Sequence, residues 1–188
     1  SLHHKLKTMS ERILLYLTLP PYLAQWYAYE CRQIEHRDDD TISHSIYKPL
    51  EPITIPRGSQ ESNILHCFLQ KQPTHNTLKE DNDPNIAIVI PQYRDKDPNT
   101  YNYLGRYGRQ KLADTIRNRF CISLWEEIHT FRNALSRQDN AIYAFMEAHG
   151  IECSETNWNA LAKIYQRQRN VYYMQKSRKK NSEKSTRK

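Results

Sequence analysis

Apolar residues in the first half of the chain form short β-like runs, each followed by a helical pattern. The runs cover residues 12–19, 52–56 and 86–90, and a proline closes each of them. Apolar residues then recur at helical spacing over about 22–34, 60–71 and 102–120. The alternation predicts an α+β domain over residues 9–100, built as a small three-stranded sheet with helices packed on it.

From residue 101 onward the pattern predicts helices only. A second apolar helix pattern follows at 122–131, so we expect an all-helical domain over 101–174. Beyond Met174 the chain contains no apolar residue and consists largely of Lys, Arg, Ser and Asn. Such a composition buries too little apolar surface to order a chain, so residues 175–188 are expected to be a disordered basic tail.

The stretch Asp139–Tyr173 predicts two helices joined by a tight turn. Asp139 and Asn140 are candidate caps for a helix over 141–149, and Gly150 can adopt the left-handed conformation that closes it. Ser154 is a candidate N-cap for the next helix, over about 155–173.

The second helix of this pair has two chemically different faces. Trp158, Leu161, Ala162 and Tyr165 share the spacing of a buried stripe. The opposite side, called the polar face below, comprises Thr156, Asn159, Ala160, Lys163, Arg167 and Asn170. It places small residues near the helix start and long basic residues further along.

Over this last quarter the chain resembles helix-turn-helix DNA-binding proteins, although Gly150-Ile151 is followed by Glu152-Cys153 before the cap, which makes the turn longer than is usual. The resemblance implies that a recognition helix reads the major groove of duplex DNA through Thr156, Asn159, Ala160, Lys163 and Arg167. It also implies a transcriptional regulator or an accessory factor of DNA transactions. Many such proteins dimerise, so a homodimer is a further expectation, although no heptad seam marks an interface.

The positive charge of the chain is concentrated near its C-terminal end. The formal net charge is +7, yet residues 163–188 hold ten basic side chains and a single acidic one. Their excess of charge continues from the polar face through Lys176, Arg178, Lys179 and Lys180. This continuity favours a polyanionic partner and adds these four residues to the candidate phosphate contacts.

Sequence signatures of catalysis are missing. Four glycines leave no Gly-rich phosphate loop, and no Gly-x-Ser-x-Gly motif occurs. The four cysteines are far apart and have no zinc-ligand spacing, which favours reduced thiols. A group of acidic and histidine residues, His36, Asp38, Asp39, Asp40 and His44, fits a hydrated loop as well as a metal site. We therefore expect a binding protein that is not an enzyme and needs neither metal nor cofactor.

Two alternatives remain open at this point. An RNA-binding protein would use the basic tail together with Tyr101, Tyr103 and Tyr107, which can stack on unpaired bases. A protein-interaction module would use the tail only for solubility. The chain has no apolar run of membrane-spanning length and no secretory leader pattern, so we expect a cytoplasmic or nucleoid-associated protein without a membrane partner.

Overall fold

The computed structural model describes residues 12–35, 47–73, 83–131 and 138–185 of the chain. The strands are β1 (Leu14–Leu17), β2 (Pro52–Thr54), β3 (Leu69–Gln70), β4 (Ile86–Val89) and β5 (Tyr103–Leu104). The helices are α1 (Pro21–Glu35), α2 (Gln60–Phe68), α3 (Arg106–Phe131), α4 (Gln138–Ala148) and α5 (Glu155–Ser185). This arrangement confirms the predicted α+β class, with a three-stranded sheet followed by helices.

The apolar run at 86–90 forms the central strand of the main sheet. Strand order is β1-β4-β2, with β1 antiparallel and β2 parallel to β4. Ile88 pairs with Leu15 on one side and Ile53 on the other. Ile88 and Ala87 are fully buried. Their side chains point to opposite faces of the sheet, so both faces of β4 are covered, as expected for a continuous apolar run.

The two prolines that follow β1 start α1. The carbonyl of Pro20 accepts hydrogen bonds from the backbone amides of Leu23 and Ala24 at 2.9 and 3.0 Å. Pro21 occupies the first helical position, where its missing N–H would have had no partner. The helix buries Trp26 and Tyr27 almost completely and lies against β2, so it covers the sheet as predicted.

A two-stranded sheet, β3 with β5, was not predicted. Leu69 pairs with Leu104 and Gln70 with Tyr103 in antiparallel register. Two residues per strand are too short to produce an alternating pattern, so the sequence carried no recognisable signal. Arg109 stabilises this region, since its guanidinium donates to the carbonyls of Leu104 at 2.9 Å and Tyr16 at 2.6 Å.

The second and third helical patterns also end differently from the prediction. Helix α2 stops at Phe68 instead of about Lys71, because the chain turns into β3. The patterns at 102–120 and 122–131 form one continuous helix, α3. No proline or glycine interrupts residues 109–131, so nothing forces a break between them.

Lys96 caps the C-terminal end of α2. Its ammonium donates to the carbonyl of His66 and, at 3.0 Å, to that of Leu69. The last carbonyls of a helix lack intrahelical donors and carry the negative end of its dipole. A lysine that reaches them supplies both hydrogen bonds and opposite charge.

We expect Lys96→Met to lower the free energy of unfolding by about 1–3 kcal/mol, because charge-assisted hydrogen bonds to partly buried carbonyls are lost while the aliphatic stem is kept. Urea denaturation followed by circular dichroism measures the change. The matched control is Lys48→Met, at an exposed lysine, which should leave the midpoint unchanged. A Lys96→Met protein as stable as that control would remove the capping role.

The chain divides into two compact units, Ser1–Ile116 and Arg117–Lys188. The boundary lies inside α3 and therefore differs from the predicted boundary at residue 100. The first unit contains both sheets, α1 and α2. The second unit contains the C-terminal part of α3 with α4 and α5, and it holds the polar face and the four basic residues beyond it. The alternative RNA contacts Tyr101, Tyr103 and Tyr107 lie in the first unit.

Candidate nucleic-acid interface

The turn between α4 and α5 begins with the predicted glycine. Gly150 has a φ of 63°, in the left-handed region that favours glycine. The amide of Ile151 donates to the Met146 carbonyl at 2.8 Å, and that of Gly150 donates to the Glu147 carbonyl at 3.4 Å. These two hydrogen bonds define a Schellman motif, and the buried Ile151 side chain supplies its apolar contact.

The start of α4 differs from the prediction. The helix begins at Gln138, so Asp139 and Asn140 lie inside its first turn and do not cap it. Asp139 still suits that position, since a carboxylate is stabilised near a helix N-terminus. The residues before Gln138 lie outside the described part of the chain.

Helix α5 is capped by Ser154, as predicted. The Ser154 hydroxyl accepts a hydrogen bond from the Asn157 amide at 3.3 Å, and its carbonyl accepts one from the Trp158 amide at 2.9 Å. The Asn157 side chain is 3% exposed and donates to the Glu152 carbonyl at 3.0 Å. The turn and the first turn of α5 are thus held together by polar groups with specific partners.

The buried face of α5 lies slightly to one side of the predicted stripe. Leu161 and Tyr165 are fully buried, as expected, and Ile164 and Asn157 are buried with them. Trp158 is only half-buried and stacks on Tyr143 of α4, with 6.2 Å between the ring centroids. The prediction placed Trp158 in the buried stripe because it shares helical spacing with Leu161 and Tyr165. A buried Asn was not expected there, but its hydrogen bond to the turn offsets the cost of burying it.

Polar contacts hold the three helices of the second unit together beside this apolar core. His149 at the end of α4 faces Glu127 of α3, with Nε2 at 2.8 and 3.0 Å from the two carboxylate oxygens. The Gln168 amide of α5 donates to the Cys121 carbonyl of α3 at 2.8 Å. These contacts restrict how α5 rotates about its axis and therefore which side chains it exposes.

The polar face is exposed. Thr156, Asn159, Lys163, Arg167 and Asn170 are exposed, and Ala160 is half-buried. At 100° per residue, the six positions fall within an arc of about 100° around the helix axis. The structure therefore brings together all six residues that the sequence predicted as one surface.

Residues 175–185, the C-terminal extension of α5, are helical. The sequence had predicted that they would be disordered. The helix has 31 residues, which corresponds to a length of about 46 Å. Lys, Arg, Gln and Glu are good helix formers, and lengthening an existing helix avoids the cost of nucleation. Residues 186–188 lie outside the described part of the chain.

The candidate phosphate contacts of the extension occupy different positions around the axis of α5. Lys176, Arg178 and Lys179 are exposed, and Lys180 is on the same helix, with its side chain outside the described ones. At 100° per residue, Arg178 lies about 200° around the axis from Lys180. The positions of Lys176, Lys179 and Lys180 fall within an arc of about 100°, and Arg178 lies apart from them.

An aromatic cluster between α3 and α5 was not predicted. Trp125 stacks on His129 at 4.9 Å and lies 5.6 Å from Tyr165 and 5.5 Å from Tyr172, measured between ring centroids. Tyr173 follows, 5.5 Å from Tyr172. The spacing of Trp125 and His129, and of Tyr165 and Tyr172, would have placed each pair on one helix face. The contact between the two helices has no signal in the sequence.

The cysteines give no sign of a reactive or metal-binding site. Cys31, Cys67, Cys121 and Cys153 form no disulfide. Burial raises the pKa of Cys121, with partial compensation by Arg117, and burial together with Glu147 raises the pKa of Cys153. A raised pKa keeps a thiol protonated at neutral pH, where it is a poor nucleophile and a poor metal ligand.

Three aspartates of the first unit each have a different hydrogen-bond partner. Asp95 accepts a hydrogen bond from His66 at 2.7 Å, which lowers the pKa of this exposed carboxyl group. Asp97 accepts from the Asn99 amide at 3.0 Å, and Asp114 accepts from Gln110 at 3.0 Å. Among the described residues, no three His, Cys, Asp or Glu side chains lie close enough to hold a metal ion. The His36–His44 group lies outside the described residues.

No protein-family model matches the chain, and neither a curated protein nor a solved structure is significantly similar to it. Support for a function must therefore come from the geometry of its own residues. Within the described ranges, none of the helices combines the length and the apolar character needed to cross a lipid bilayer.

Proposed function

We propose that this protein binds nucleic acid, with duplex DNA as its main partner, through the polar face of α5 and the C-terminal extension. The observation that carries the proposal is the joint exposure of Asn159, Lys163 and Arg167 on one side of a long helix. A helix that packed its polar side against its own domain would be unable to enter a groove. The polar face instead lies opposite the buried Leu161 and Tyr165.

Each part of the polar face suits a different part of a duplex. Asn159 can form two hydrogen bonds with an adenine edge, and Lys163 can reach guanine or a phosphate. Ala160 and Thr156 are small, which permits a close approach of the helix N-terminal half to the bases. Arg167 lies two turns beyond Asn159, where a backbone phosphate is the natural acceptor.

The extension contributes attraction without sequence selectivity. The described side chains of residues 163–179 include no acidic group, so a phosphate backbone meets no repulsion along this part of α5. Such a contact releases counterions and strengthens binding to any sequence. Base contacts near the helix start and charge further along fit a transcriptional regulator or an accessory factor of DNA transactions, in the cytoplasm or on the nucleoid, that acts without catalysis.

Asn159→Ala is expected to weaken binding to a selected duplex by about 1–3 kcal/mol and to leave binding to random duplex almost unchanged, because a base contact carries sequence information. Arg167→Ala should weaken both complexes. Selection from a random duplex library followed by mobility-shift titration measures these changes. The mobility of the complex also reports how many chains bind, which tests the predicted homodimer.

The matched control is Asn118→Ala, at an exposed asparagine of α3 in the same unit. It should bind both duplexes like the wild type. Equal losses on selected and random duplex for Asn159→Ala would contradict the base-reading role. If neither Asn159→Ala nor Arg167→Ala changes binding, the polar face is not part of the interface.

A further inference from the structure

The aromatic cluster of the second unit presents three rings to solvent. His129 is exposed, and Tyr172 and Tyr173 retain 37% and 44% of their accessible surface. The half-buried Trp125 ring supports His129 and Tyr172 from within the unit. Tyr165, about two turns before Tyr172 on α5, is fully buried. Packing therefore accounts for Tyr165 but leaves much of the next two tyrosine rings uncovered.

Two positively charged groups flank these rings. The Arg169 guanidinium lies 5.7 Å from the centroid of the Tyr173 ring. Lys176 follows Tyr172 by one helical turn and is exposed. At 100° per residue, Tyr172 lies about 220° around α5 from Asn159, so this aromatic surface and the polar face are on different sides of the helix.

We propose that the aromatic surface, formed by His129, Tyr172 and Tyr173 with Arg169 and Lys176, binds an unpaired base of single-stranded nucleic acid. The proposal rests on the proposed function, because it assigns a second nucleic-acid contact to α5. A base stacks on a tyrosine or histidine ring through its π-face, and the neighbouring phosphates meet Arg169 and Lys176. Paired bases inside a duplex present only their edges, so they cannot stack on these rings.

The charges on α5 favour this occupant. The α5 residues around the surface carry arginine and lysine without an acidic side chain between residues 163 and 179. Exposed aromatic rings interleaved with basic residues are the combination that proteins use for single strands, where stacking tolerates any base and charge follows the backbone. The protein thus fits a nucleic acid that offers a duplex and an adjoining or separate unpaired strand.

The test compares two labelled probes, an oligothymidylate and a random-sequence duplex of the same length. Tyr172→Ala is expected to weaken oligothymidylate binding about 5- to 140-fold, the range that corresponds to the loss of one stacked base. Tyr172→Phe keeps the ring and should bind like the wild type. Tyr143→Ala, at a 45% exposed tyrosine of α4, is the matched control outside the aromatic surface. Duplex binding should be the same for all of these variants.

Thermal melts of each variant separate a lost contact from a lost fold. If Tyr172→Ala has a lower melting temperature than the wild type, His129→Ala provides the same test at an exposed position. Unchanged oligothymidylate binding in the folded variants would overturn the inference, and so would equal losses on both probes. A wild-type protein that binds oligothymidylate but no duplex would instead overturn the proposed duplex function and leave this inference standing.

Discussion

Phe145→Ala is expected to lower the free energy of unfolding by about 3–5 kcal/mol, the largest stability effect that we predict. Phe145 lies on α4 and is fully buried. Its ring meets Phe120 of α3 edge-on at 6.0 Å and His149 at 4.3 Å, measured between centroids. Removing the ring opens a cavity where α3 and α4 of the second unit meet, and the lost contacts and the cavity both destabilise the fold.

Chemical denaturation followed by circular dichroism measures this loss. Tyr143→Ala is the matched control, since Tyr143 lies on the same helix and has a similar ring but is 45% exposed. Its loss should be well below that of Phe145→Ala. Equal losses from the two substitutions would mean that the assigned buried face of α4 is wrong.

The α4–α5 hairpin was predictable because its signals are local. Gly150 sets the helix end through its own backbone conformation, and Ser154 sets the next start through a hydrogen bond to Asn157, three residues away. Such cues do not depend on the rest of the fold. The exposure of the polar face followed from the same periodicity, since a helix that buries one side exposes the other.

Strand positions were predictable, but strand order was not. The apolar run at 86–90 marked a central strand because both of its faces needed cover. Its neighbours, β1 and β2, lie far from it in sequence and pair with it in opposite directions. That choice depends on long-range pairing, and no residue within the strands encodes it.

The aromatic surface and the exact buried face of α5 were missed for a related reason. Both depend on how α5 meets α3, as the contacts from Trp125 to Tyr165 and Tyr172 illustrate. Helical periodicity describes one helix at a time and gives its buried direction only to within about one residue. That is why Trp158 was placed in the buried stripe, whereas its neighbour Asn157 occupies the buried position.

The C-terminal extension carries four basic residues that are candidate phosphate contacts. Replacing Lys176, Arg178, Lys179 and Lys180 together by glutamine should keep α5 helical, since glutamine and lysine have similar helix propensities. Each phosphate contact contributes about 0.9 to the slope of log affinity against log salt concentration. At 100° per residue, the positions of Lys176, Lys179 and Lys180 fall within an arc of about 100°, so no more than about three of the four can face one duplex at a time. We therefore expect the slope to flatten by no more than about 3 and affinity at 0.15 M salt to fall by no more than about 150-fold.

The preference for a selected over a random duplex should survive these substitutions, because phosphate contacts carry no sequence information. The matched control replaces four exposed basic residues of the first unit, Lys48, Arg57, Arg94 and Arg106, by glutamine. It changes the net charge equally and should leave the slope nearly unchanged. A slope change of about 4 in the extension variant would mean that the extension unwinds to bring every charge to the backbone. No change, or the same change in both variants, would contradict any specific contact between the extension and phosphate.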